Sequence, residues 1–411
     1  MSNKNFGPLN GIKVIEMGQL LAGPYVGSRL ADFGAEVIKV ETPGSGDPMR
    51  EWGHHRYKGK SLWWPTLARN KKSLTVNLRE KEGQEIVRQL LSTADGLIEN
   101  FKPGTLEKWG MSPEELHQIN PKLIIVRVSG FGQTGPSASR PGFASIGEAM
   151  GGLRFINGFP NTPPPRFGIS LGDTLTAMFA VEGFLMALVE RQSNDGKGQI
   201  VDAAITESCF AMLEGTLPEF DKCGIIRKPS GTGLANVAPS NIYPTSDNNF
   251  VVIAANLDTM FKRLCEAMDK LEWIKDPRFF DHKARGNNAE ELDLLIADWS
   301  KTLTMKEIGK KLDDKGVVWG PINSIENIVE DEQFKSREMI LELEDENFGT
   351  IKVPGIVPKL SKTPGQVAWL GPQKVGEHNQ EILDGLGYSD SDTRETYGVS
   401  NKGHTRLHPL L

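Results

Sequence analysis

The sequence predicts an α/β fold built on a mostly parallel sheet, and three observations carry that reading. Short apolar runs alternate with amphipathic helical patterns through the first 130 residues, as strand–helix–strand crossovers do. Residues 35–41 (Ala-Glu-Val-Ile-Lys-Val-Glu) alternate with period two, the mark of a strand. Residues 122–129 form an apolar run that reads as a buried strand.

Residues 11–18 are the first strand, with Val14 and Ile15 inside. Pro24 fits the first turn of the helix that follows, and Gly34 closes it. After the strand at 35–41 comes a Gly- and Pro-rich loop, 43–53, and then a short strand at 73–78. Residues 79–95 are an amphipathic helix with Ile86, Val87, Leu90 and Leu91 on one face. Residues 96–100 are the next strand. Ser112-Pro113-Glu114-Glu115 is a capping box with Pro at the first helical position. Over 217–241 the pattern loosens into Gly, Pro, Ser and Asn, which marks a domain boundary. The expected division is 1–216, 217–330 and a C-terminal segment, 331–411. The second part opens with a strand at 250–255 and continues as helices to Leu312. Pro354, Pro358, Pro364 and Pro372 give the C-terminal segment an extended, loop-rich path.

With 411 residues, 38% of them hydrophobic and 24% charged, the chain has the composition of a globular protein of two or more domains. A net charge of −6 provides no global field for nucleic acid or an anionic membrane, so neither is an expected partner. An anion site must be a local basic cluster. Cys209, Cys223 and Cys265 are far apart and lack metal spacing. With a polar N-terminus that has no secretory apolar core, they predict a cytoplasmic protein with reduced thiols and no metal. The run 174–189, broken by Glu182 and Gly183, reads as a buried helix too short and interrupted to span a bilayer.

Asp173 stands at the joint between the α/β region and this apolar run. It has two readings. As a helix N-cap it satisfies free N–H groups of the first turn. As a nucleophile it sits where a helix N-terminus stabilises negative charge. Gly130-Phe131-Gly132-Gln133-Thr134-Gly135 matches a dinucleotide fingerprint, but Pro136 and Pro141 stop the helix that the motif requires. It reads as a tight glycine turn at a strand end. Arg69, Lys71 and Lys72 form the densest basic cluster, with Arg79, Lys102, Lys108 and Arg140 in the same half. They are either a solvated face or a phosphate site at the carboxyl ends of parallel strands. The histidines are scattered and make no catalytic order.

In order along the chain, Ala22-Gly23-Pro24, residues 32–41 and Gly44-Ser45-Gly46-Asp47 resemble the opening of the family III CoA-transferases, the formyl-CoA, carnitine and benzylsuccinate type. Residues 69–73, Glu99-Asn100-Phe101-Lys102-Pro103-Gly104, residues 129–136, Gly172-Asp173, residues 198–202 and Gly376-Glu377-His378 continue the match over nearly the whole chain. The resemblance implies a large Rossmann-like domain built from both chain ends, a smaller central α+β domain and an interlocked dimer. It implies Asp173 as the catalytic aspartate and Leu20, Ala22, Arg79, Asn100, Phe101 and Lys108 as CoA contacts. Arg69, Lys71, Lys72 and Arg140 are added to these as candidate cations. The CoA thioester is a substrate, and no tightly bound cofactor is expected.

Ser61-Leu62-Trp63-Trp64, residues 147–153 and Pro218-Glu219-Phe220-Asp221 are similar to the branch that uses succinyl-CoA and dicarboxylic acceptors: malate, citramalate, mesaconate or benzylsuccinate. His54, Trp64 and Phe143 are candidates for the acceptor pocket, and Gly231 and Gly233 for a covering loop. Arg154, Arg166 or His54 are candidates for a remote carboxylate. Phe143 and Ala144 stand where the related 2-methylacyl-CoA racemases carry His-Asp, which argues against a racemase. A non-catalytic CoA-binding subunit is the other alternative. Some members of the branch pair two related subunits, so a homodimer or a heteromer is expected.

Overall fold

The computed structural model describes residues 6–234 and 236–388. The chain divides into two compact units. One takes the chain up to Leu153, Phe167–Glu214 and the chain from Ser336 onward; the other takes Arg154–Arg166 and Gly215–Lys335.

The first unit is organised on a six-stranded sheet. Its strands are β1 (Lys13–Glu16), β2 (Glu36–Glu41), β3 (Lys71–Thr75), β4 (Gly96–Glu99), β5 (Ile124–Ser129) and β6 (Ile200–Ala204). They lie in the order β3-β2-β1-β4-β5-β6, and every neighbouring pair is parallel. This is the doubly wound order of dinucleotide-binding sheets. Successive residues point to opposite faces, and each face has its own core. Val14, Val37, Ile98 and Ile124 enter one core, while Ile15, Ile38, Leu97 and Ile125 enter the other. Burial on both faces explains the unbroken apolar stretches Val14-Ile15, Leu97-Ile98 and Ile124-Ile125-Val126 in β1, β4 and β5.

Helix α1 (Ala22–Asp32) follows β1 and ends at Gly34, whose φ of +97° is left-handed. Helix α2 (Lys81–Leu91) buries Ile86, Val87, Leu90 and Leu91, the face read from the sequence. The Ser112 capping box forms with both reciprocal bonds. Helix α3 (Ala144–Met150) precedes the long helix α4 (Leu171–Ser193), and helix α5 (Ile205–Ala211) follows β6. Gly183 lets α4 close on β6: a Cβ there would stand 2.5 Å from Val201 Cγ1.

Helix α4 corrects the expectation of a buried helix. Ala177, Ala180, Phe184 and Leu188 sit in the core, but Met178, Phe179, Leu185, Met186 and Val189 are exposed. It also corrects the expectation of a run too short to span a bilayer. By length and composition this 23-residue helix is apolar enough to cross one, although its buried stripe is spent on the sheet.

In the second unit β7 (Ser240–Pro244), β8 (Phe250–Ala254) and β9 (Trp319–Pro321) form an antiparallel sheet in the order β9-β8-β7. Helices Asp258–Ala267, Ala289–Ser300 and Met305–Lys315 contribute Phe261, Leu264, Ile296, Ile308 and Leu312 to its core. Residues 154–166 fall in this unit rather than with 1–216. Gly231 N–H donates to Gly158 O at 2.9 Å, and Lys228 Nζ lies 4.9 Å from the centre of the Phe155 ring.

The C-terminal segment is less irregular than its prolines predict. Strands β10 (Ile340–Asp345) and β11 (Gly349–Pro354) form a hairpin. The chain then covers the open edge of β3. Trp369 Nε1 donates to Lys71 O at 3.0 Å, and Asn70 N–H to Trp369 O at 3.1 Å. His378 N–H donates to Ser73 O at 3.0 Å. An uncovered edge strand is a template for aggregation, and this segment removes it.

Candidate active site

Ligands of doubly wound sheets bind at the carboxyl ends of the strands, where the strand order reverses. Here that point lies between β1 and β4, the two strands whose crossovers run in opposite directions. The loop after β1 carries Leu20 and leads to Ala22; the turn after β4 carries Asn100 and Phe101. The structure joins them. Gln19 N–H donates to Asn100 Oδ1 at 2.8 Å, and Asn100 Nδ2 donates to Gln19 O at 2.9 Å. Gly23 permits the approach, since a Cβ there would lie 3.1 Å from Asn100 Cγ. Phe101 is half-buried and meets Trp109 edge-on, with ring centres 5.2 Å apart.

Two of the expected phosphate cations point inward instead. Lys71 is fully buried, with Nζ 2.7 Å from Glu16 Oε2 and donating to Pro24 O at 2.6 Å. Arg69 makes a two-pronged bond to Asp32, 2.7 Å and 2.6 Å, and donates to Pro354 O. Both are ion-paired parts of the framework, because a buried charge must be partnered. Lys72 is more open but is shared by Glu36 at 2.6 Å and Glu381 at 2.8 Å. Trp64 is corrected as well. It is buried, its Nε1 donates to Pro372 O at 2.8 Å, and the Arg50 guanidinium lies 3.9 Å from the ring centre. It anchors the C-terminal segment.

Arg79 and Lys108 are exposed. Lys108 borders a cavity of about 640 Å³ with Lys81, Arg88, Trp109 and Tyr388. Arg140 is exposed, with its guanidinium 5.0 Å from the centre of the Phe131 ring.

Asp173 occupies the third position of α4, and the N-cap position belongs to Ser170. The capping reading of Asp173 is therefore set aside. Its carboxylate lies in the first turn, where the helix dipole favours negative charge. Gly172 before it is clamped. Its N–H donates to Glu148 Oε1 at 3.2 Å, and its carbonyl accepts from Thr176 Oγ1 at 2.7 Å. Glu148 and Thr176 are fully buried. Cys209 is buried close by; burial, then the Glu148 and Asp173 carboxylates, push its thiol up to about 11. Glu148 escaped sequence reasoning as a site residue. It stands within a quoted motif, but only the fold brings α3 to the start of α4.

Phe143 is 67% exposed and immediately precedes α3. The carbonyl of its neighbour Ala144 lies 3.1 Å from where a Gly172 Cβ would be. His54 is exposed, edge-on to His55 with ring centres 4.9 Å apart. Gly231 and Gly233 lie in the second unit, in a short loop where Ser230 Oγ donates to Gly233 O at 2.6 Å. Among the described residues no cluster of three or more His, Cys, Asp or Glu is placed to hold a metal ion.

Comparison with known proteins identifies the family. The family model "CoA-transferase family III" matches residues 9–379. The chain is 53% identical over 386 residues to succinyl-CoA–D-citramalate CoA-transferase of Chloroflexus aurantiacus, covering 94% of this chain and 96% of the relative. It is 40% identical to the alpha subunit of succinyl-CoA–L-malate CoA-transferase from Chloroflexus aurantiacus, covering 92% and 88%. A crystal structure of a CaiB/BaiF family protein from Brucella suis superposes with a TM-score of 0.83 at 33% identity, covering 93% and 100%. The chain belongs to CoA-transferase family III and is a CoA-transferase.

Proposed function

We propose that this enzyme moves CoA from succinyl-CoA to a dicarboxylic acid of the citramalate type, with Asp173 as nucleophile. The observation that carries the donor and acceptor is the 53% identity, end to end, with a succinyl-CoA–D-citramalate CoA-transferase. What supports the nucleophile is its place in the first turn of α4, held by the Glu148–Gly172 contact.

The chemistry is carboxylate–thioester exchange. The Asp173 carboxylate attacks the succinyl carbonyl. The C–S bond breaks, its electron pair leaves on sulfur, and a succinyl–aspartyl anhydride and CoA thiolate result. The thiolate attacks the aspartyl carbonyl, expelling succinate and leaving an aspartyl-CoA thioester. The acceptor carboxylate attacks that thioester to give a second anhydride. The released thiolate then takes the acceptor's acyl group and restores Asp173. No proton or oxidant is consumed. A carboxylate is a weak nucleophile, so positioning supplies much of the rate. The positive end of the α4 dipole favours the negative charge that develops on the oxyanions.

We assign the CoA to the β1–β4 switch point, against Leu20, Ala22, Asn100 and Phe101, with Arg79 and Lys108 as the exposed cations. Arg69, Lys71 and Lys72 are left out because they are committed to carboxylates. Phe143 is kept as a pocket residue. The apolar stripe of Met178, Phe179, Leu185, Met186 and Val189 supports a partner subunit, a second copy or a related chain, in an interlocked dimer. The three free thiols fit a cytoplasmic setting.

The test is an acceptor screen. The purified protein with succinyl-CoA and citramalate should give citramalyl-CoA and free succinate, followed by chromatography. Malate, mesaconate and glutarate should be poorer. Failure of all four in a folded protein that binds CoA would overturn the dicarboxylate reading.

A further inference from the structure

Leu20, in the loop after β1, has a φ of +62°. A bulky side chain is rare in the left-handed region, and such strain gathers at ligand clamps where neighbouring groups over-determine the backbone. Here the neighbours are identifiable. Leu20 N–H donates to Asp47 Oδ1 at 3.1 Å, and the same oxygen accepts Met49 N–H at 2.8 Å. The other Asp47 oxygen is 2.6 Å from Lys39 Nζ. Lys39 in turn lies 2.8 Å from Glu16 Oε1 and donates to Gly18 O at 2.9 Å. Asp47, Lys39 and Glu16 are all at most 2% exposed. Three successive loop residues are thus tied from outside: Gly18 by Lys39, Gln19 by Asn100 and Leu20 by Asp47.

A buried ionic cluster is an expensive way to hold two strands together, since apolar packing does so without desolvating charge. This one sends its hydrogen bonds to the backbone of the loop at the switch point. We propose that Asp47 is a positioning residue for acyl-CoA, fixing Leu20 in the left-handed region and so shaping the loop that receives the thioester. The inference rests on the assignment of that loop to CoA.

The experiment measures CoA affinity by calorimetry, and kcat and KM for succinyl-CoA with citramalate, in Asp47→Ala, Asp47→Asn and Leu20→Glu. Asp47→Ala should raise the CoA Kd and the succinyl-CoA KM tenfold or more, with kcat and the citramalate KM within threefold of wild type. Asp47→Asn keeps an oxygen for the Leu20 and Met49 N–H groups and should recover most of the loss. A folded Asp47→Ala with wild-type CoA affinity overturns the proposal, as does an Asn variant no better than Ala. If Asp47→Ala does not fold, Lys39→Met is added to both Asp47 variants. That pair leaves no charge facing a missing partner at position 47, and its members differ in the acceptor for Leu20. Equal CoA affinity in the pair overturns the proposal. Leu20→Glu separates the two claims. If it leaves CoA affinity unchanged, the loop is not the CoA site and both claims fall. If it abolishes binding while Asp47→Ala does not, only the role of Asp47 falls.

Discussion

Asp173, Cys209 and Glu148 show what a residue takes from its surroundings. Burial holds the Cys209 thiol up at about 11 and the Cys265 thiol at about 12, while Cys223 is exposed. A thiol reagent at pH 8 should therefore titrate one cysteine rapidly in the native protein and all three after denaturation. Rapid release of two or three natively would contradict the described burial. The expectation of Asp173 as nucleophile comes from the resemblance of the ordered motifs around it, since a lone Asp before an apolar run equally describes a cap. Arg69 and Lys71 were not legible. A cation on a strand reads the same whether it faces a phosphate or a carboxylate, and the partners Asp32 and Glu16 are settled only by folding. Asp47 was visible as part of Gly44-Ser45-Gly46-Asp47, but nothing local tells that its carboxylate meets Leu20 across 27 positions.

Helix α4 carries the exposed apolar stripe on which the proposed subunit contact rests. Its position was clear from the apolar run, but composition does not tell which apolar face meets the sheet and which is left over. Met186 is 67% exposed on the outer stripe. Met186→Glu should impair assembly of the proposed dimer or heteromer, read as a lower yield of that species by light scattering, and lower its melting temperature. A wild type that is already monomeric, or a variant with unchanged mass, would contradict the subunit contact. Strand β6 was missed because Ile200–Ala204 is short and carries Asp202, whose carboxylate accepts Gln133 N–H at 2.9 Å. The hairpin β10–β11 was hidden by the prolines that follow it.

For the whole molecule, alternation gave the α/β class, but the strand order that creates the switch point is a property of crossovers, which leave no periodic trace. The same sheet carries a pH signature. Burial would raise the Glu41 carboxyl, but bonds from Arg50 and Ser73 outweigh it and hold it below its ordinary 4.5. A depressed carboxyl contributes stability above its unfolded value and loses it as pH falls through the folded one. The melting temperature should therefore fall as the pH drops below about 4.5. In Glu41→Gln it should start lower and fall less steeply; an identical slope would remove Glu41 from the account.

The most direct test of the central claim is mass spectrometry of the enzyme mixed with succinyl-CoA, quenched and digested. The peptide that contains Asp173 should carry CoA, or a hydroxamate after hydroxylamine trapping, and Asp173→Asn should carry neither and turn over no substrate while still binding CoA. An unmodified Asp173 peptide in an enzyme that is turning over, or normal turnover by Asp173→Asn, would contradict the aspartyl route.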